Sequence, residues 1–127
     1  MSFVTQLLCE DDDPVDMPDL AQVESAVSKL DGNKCTMVVL RGDGPDVNLS
    51  IGGGSGGLYV VSLTYDNRRF LTLLNPTAQT GRISMVCGGQ RGEFDAKKCA
   101  VRSVMLQAVR TFAATGERDV TLHWSRW

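Results

Sequence analysis

The sequence predicts an α+β fold: an antiparallel sheet of about five to six strands, with an N-terminal and a C-terminal helix packed on it and a short final strand. Three observations predict it. Two segments carry apolar residues at three- and four-residue spacing, as amphipathic helices do. Between them lie short apolar or alternating runs rich in β-branched residues. Turn residues separate those runs at hairpin distance, with no helical crossover between strands.

The elements follow in chain order. Residues 1–15 read as an acidic N-terminal arm with a short apolar start, punctuated by Pro14 and Pro18. Leu20, Val23, Val27 and Leu30 then share one helix face. Asp16 and Asp19 stand near that helix's start, where the macrodipole favours negative charge. Gly32 suits a left-handed residue at its end. Strands are expected at 35–40, 47–51, 58–65, 68–74 and 82–87. Gly42-Asp43-Gly44-Pro45 and Asp66-Asn67 supply turn chemistry between them. Gly88 to Gly92 reads as a flexible loop, with another short strand within 94–100. Val101, Val104, Met105, Ala108, Val109 and Phe112 stripe the second helix, with Ser103 as its cap and Gly116 as its stop. Val120 to Trp124 is the last strand, and residues 1–127 read as a single domain.

Composition excludes several function classes. At 127 residues and 43% apolar content the chain can bury a core without a metal or disulfide staple. No run approaches a membrane span. The N-terminus has neither a basic segment nor a long apolar one, so the expected location is the cytoplasm. Cys9, Cys35, Cys87 and Cys99 form no C-x-x-C pair, and free thiols are the expectation there. The net charge of −2 hides an asymmetry: residues 1–31 carry −7 and the remainder +5. A partner drawn to the first segment by charge is therefore basic.

Candidate chemistry is sparse. Gly52 to Gly57 is Gly-rich, but a strand follows it where a phosphate loop needs a helix, and no Gly-Lys-Ser/Thr is present. A hairpin or bulge explains it. His123 is the only histidine, so a thiol or hydroxyl nucleophile would have to pair with it. It sits on an expected strand and reads as structural or solvated, and no enzyme is expected. The acids at 10–13 lack the spacing of a calcium loop. Arg68-Arg69 and Lys97-Lys98 are too sparse for a nucleic-acid stripe at a pI near 5.3. No cofactor is expected.

An ordered set of motifs then carries a resemblance. It comprises Gly52 to Gly57, Asn75-Pro76, Gly88-Gly89-Gln90-Arg91-Gly92, Phe112 with Thr115-Gly116, and Trp124. Over roughly residues 50–127 the sequence resembles the bacterial immunity proteins paired with polymorphic toxins, particularly toxins with nucleic-acid deaminase domains. It departs from that pattern at Asp119, where a proline is usual, and at Ser125-Arg126, where acids commonly follow the tryptophan. The resemblance implies a non-enzymatic partner of a cognate toxin in a one-to-one complex, occluding its active site, with no direct nucleic-acid or membrane contact. The shared motifs are structural, so contact residues are expected instead from charge, exposure and loop position. These are Glu10, Asp11, Asp12, Asp13, Asp16, Tyr65, Asp66 and Trp127. The alternative is a regulatory or interaction subunit with a non-toxin partner.

Overall fold

A computed structural model describes residues 3–10, 12–44 and 46–126. The architecture is α+β, with a larger sheet than expected. Its strands are β1 (Gln6–Cys9), β2 (Val15–Asp16), β3 (Met37–Arg41), β4 (Asn48–Gly53), β5 (Leu58–Thr64) and β6 (Phe70–Leu73). The two-residue strands β9 (Ala100–Val101) and β10 (Trp124–Ser125) complete it. The order across the sheet is β10-β6-β5-β4-β3-β1-β2, with β9 beside β5, and every pairing is antiparallel. β7 (Arg82–Cys87) and β8 (Gln90–Asp95) pair only with each other, as a separate ribbon.

Alternation sorts the sheet into two faces. Leu7, Leu40, Leu49 and Leu63 stand in register across four strands, and Val38, Ile51 and Val61 form the next row. All are buried, in one cluster with the apolar stripes of α1 (Leu20–Ser28) and α2 (Arg102–Thr115). Val23 and Val27 come from α1; Met105, Val109 and Phe112 come from α2. Arg110 pairs with Glu24 across the two helices, and Arg102 Nη2 donates to Ser28 Oγ at 3.0 Å.

Several boundaries differ from expectation, each for a physical reason. The expected arm contains β1: Val4 and Leu7 are core residues, and β1 lies between β2 and β3. Leu20, expected on the buried face of α1, is exposed. Gly32 takes a left-handed conformation (φ 74°), but in the turn beyond the helix rather than at its end, which Lys29 closes. α2 begins at a Val101 cap with no side-chain hydrogen bond, so Ser103 lies inside the helix and does not cap it. Gly116 ends α2 in the left-handed conformation, as expected. The strand expected at 120–124 shortens to Trp124–Ser125, because Asp119 folds the preceding residues into a turn.

The first Gly-rich run closes the β4–β5 hairpin, as expected, whereas the second is strand and turn rather than a flexible loop. Gly52 lies in β4, where a Cβ would stand 2.8 Å from Cys87 Sγ, so β7 can cross the sheet only over a glycine. Gly54 has φ 105°, and a Cβ there would meet Leu30 O at 2.5 Å. In the second run, Gly88-Gly89 is the two-residue turn of the ribbon, with Cys87 opposite Gln90. Gln90 to Gly92 is strand rather than loop.

Candidate functional site

Four acids line one groove along the β2 edge of the sheet. Glu10 follows β1, Asp12 and Asp13 lie in the connection to β2, and Asp19 caps α1. β1 and β2 are antiparallel neighbours and three residues separate β2 from α1, so the helix runs beside the hairpin and these acids border the space between them. A groove of about 620 Å³ opens between α1 and this hairpin. Leu7, Val15 and Ala26 and the thiols of Cys9 and Cys35 line it beneath the acids. Ala21, Ser25 and Lys29, one i,i+4 row of α1, form part of its wall, and Lys34 also borders it.

These carboxylates are not equivalent. Glu10 is an exposed residue, yet its Oε1 accepts from Thr36 Oγ1 (2.7 Å), from Met37 N (2.8 Å) and from Thr36 N. The hydroxyl bond from Thr36 is the largest cause that lowers its pKa, with the backbone bonds adding to it and burial opposing. Asp19 is engaged in a capping box with Gln22. Asp12 and Asp13 form no ion pair or side-chain hydrogen bond among the described residues. Asp16 faces away on β2, exposed, and accepts from Gln6 Nε2 at 3.2 Å. Asp11 and Trp127 lie outside the described residues.

Tyr65 and Asp66 lie in the β5–β6 turn. Asp66 Oδ1 accepts from the backbone N–H groups of Arg68 and Arg69, both at 2.9 Å, and these bonds lower its pKa. It is a turn-former as well as a surface charge. Arg68 and Arg69, expected on a strand, belong to this turn, since β6 starts at Phe70. Tyr65 is 44% exposed, and partial burial raises its hydroxyl pKa. A depression of about 440 Å³ joins both residues to Arg69, Arg118 and Arg126. Three arginines thus border this depression, with Asp66 as the carboxylate among them.

Among the described residues no hydrogen bond joins a cysteine thiol to His123. Burial is the leading cause that raises the pKa of all four thiols, which stay protonated near neutral pH. Cys99 is fully buried and donates to Asp95 O, whereas His123 is exposed. Among the described residues no cluster of His, Cys, Asp or Glu could hold a metal ion. No helix among them is long and apolar enough to cross a membrane.

The family model described as Immunity protein Imm1 matches residues 11–126, nearly the whole chain. The chain belongs to the Imm1 immunity protein family. It is thus an immunity protein of the polymorphic-toxin type, which neutralises a toxin and has that toxin as its protein partner. A comparison with curated proteins returns no match.

The motifs that pointed to this family prove to be load-sharing parts of the Imm1 fold. Asn75 Nδ2 donates to Cys99 O, Phe112 is core, and Trp124 Nε1 donates to Asp119 O at 2.9 Å. The departure at Asp119 has a structural role of its own. Its carboxylate accepts from Thr121 N and Oγ1, Gln107 Nε2 and Thr111 Oγ1. Those bonds, led by the Thr121 hydroxyl, hold its pKa down at about 2 and strap the C-terminal segment to α2. Sequence reasoning missed the α1 wall of the groove. The signal was present in Ala21, Ser25 and Lys29, a small and polar row on the helix face opposite the core stripe.

Proposed function

We propose that this Imm1 protein acts stoichiometrically in the cytoplasm, binding one toxin domain per chain and covering its substrate site. The toxin class that fits is a nucleic-acid-directed enzyme of the deaminase type. The observation that carries this reading is the concentration of acids beside a groove along the β2 edge of the sheet. An enzyme that holds nucleic acid presents a basic surface to the phosphates. A protein that competes for that surface does so with carboxylates, which steer encounter and raise the on-rate. The motif resemblance to immunity proteins of deaminase toxins supports the same class.

The test is a titration. The product of the neighbouring gene is assayed for deamination of single-stranded DNA and RNA while this chain is added in steps. A linear fall in activity that ends at one equivalent, with a one-to-one complex and salt-weakened association, is the expected result. Complete inhibition at a small fraction of an equivalent would overturn it, since one chain would then be silencing many toxins catalytically. Complex formation with a toxin lacking deaminase activity would overturn the toxin class alone.

A further inference from the structure

The groove between α1 and the β1–β2 hairpin is more than an acidic patch, because its floor is apolar and carries two thiols. Leu7 and Ala26 are buried beneath it, and Cys9, Val15 and Cys35 are only partly covered. Its rim holds four carboxylates against two ammonium groups, so the groove is negative. Glu10 and Asp19 spend hydrogen-bonding capacity on the fold, whereas Asp12 and Asp13 do not among the described residues. Apolar area below and uncommitted negative charge above is what an amphipathic, cationic segment needs. The apolar part supplies the desolvated anchor and the rim supplies register and on-rate.

We propose that this groove seats one segment of the toxin, with an apolar side chain placed against Cys9 and Cys35 and basic side chains meeting Asp12 and Asp13. The inference rests on the toxin-binding reading above and names the surface that performs it. The wall residues Ala21 and Ser25 are then contact residues as well. Both are small and exposed on α1, which leaves the groove open along that helix.

The groove carries its own reporter. Cys9 and Cys35 are partly exposed within it, while Cys87 is partly exposed outside its lining, at the end of β7 against Gly52. The complex with the neighbouring gene's product is treated with iodoacetamide at mildly alkaline pH, and each cysteine is quantified by peptide mass spectrometry. The expected result is at least tenfold slower modification of Cys9 and Cys35 on binding, with Cys87 unchanged. Ala21→Arg fills the groove from an exposed helical position that accepts arginine, and Asp12→Lys with Asp13→Lys inverts the rim. Each is expected to weaken binding at least tenfold, and the rim variant to lose most of the salt dependence. Circular dichroism and the melting temperature verify folding. A complex that forms with full affinity in both variants and leaves Cys9 and Cys35 as reactive as before would overturn the groove assignment while sparing the toxin reading. No complex with the unaltered chain would overturn both.

Discussion

The main sheet and the β7–β8 ribbon use the same antiparallel pairing, but different interactions hold them in place. The sheet is held from one side by packing: its leucine row and the two helix stripes bury one another completely. The ribbon pairs with no strand of the sheet. It rests where Cys87 and Met85 approach Gly52 and Gly53, and it is moored by Thr36. Thr36 Oγ1 accepts from Gly89 N at 2.9 Å and donates to Glu10, while Thr36 O accepts from Gly53 N at 3.1 Å. One buried threonine thus joins β1, β3, β4 and the ribbon turn. A region built on packing has a stability set by volume. A ribbon that adds a few directional bonds to one fully buried side chain, Met85, can open locally when one of those bonds is lost.

The largest effect that separates the two regions comes from the core. Ile51→Ala or Leu63→Ala, both at fully buried positions, should cost about 2–5 kcal/mol in urea denaturation. A cost near zero would mean the leucine row is not the structural centre. Thr36→Val keeps the shape and removes the hydroxyl. About 1–3 kcal/mol is expected to be lost, mainly from local opening of the ribbon. Hydrogen exchange should show Gly89 and its neighbours exchanging faster while the β4–β5 amides stay protected. A uniform acceleration would show that ribbon and sheet open as one unit.

A pH titration sharpens the same contrast. The folded Glu10 carboxyl has its pKa lowered below the ordinary 4.5 by its Thr36 bonds. The stabilisation it contributes is therefore present above that ordinary value and lost as pH falls through the lowered one. Ribbon-turn amides should lose protection on acidification before the core does, and Glu10→Gln should flatten that dependence. Protection that is constant down to global acid unfolding would remove Glu10 from the mooring. The smallest effect is expected in the exposed β5–β6 turn of the sheet. Arg69→Ala breaks an exposed 3.5 Å pair with Asp66 and should change stability by about 0.5 kcal/mol or less. A larger loss would give the arginine-rich end of the sheet a structural weight that its exposure does not suggest.

The sequence made the packed region legible and the moored region largely opaque. Both helices follow from periodicity, because their apolar faces repeat in a local window, and the strand expected at 58–65 follows from its β-branched and aromatic residues; in the ribbon, β7 was expected at 82–87. β1 was not, since its four residues are paired with β3 some thirty positions away and are followed at once by an acid run. β8 is polar because a two-stranded ribbon leaves one side to water, so its residues read as loop. The loop reading of Gly88 to Gly92 also passed over the signal for its turn: Gly88-Gly89, both with positive φ, is a two-residue hairpin connection. In the site, charge identified Glu10, Asp12 and Asp13, which line one groove. It did not distinguish Glu10, whose carboxylate is engaged by Thr36, from Asp12 and Asp13, because that difference depends on a partner 26 positions distant.

The two ends of the main sheet close on the shortest strands in the molecule. β2 has two residues, with Pro14 before it and Pro18 shortly after, and β10 has two residues beside β6. A proline offers no N–H to an incoming strand, and a two-residue ladder gives a passing chain little to continue. Crowded copies therefore lack a long free border on which to stack into fibres at either end. The proposed one-to-one binding would require this chain to be at least as abundant as its target. These blunt borders suit a protein stored at such concentrations while it waits for its partner.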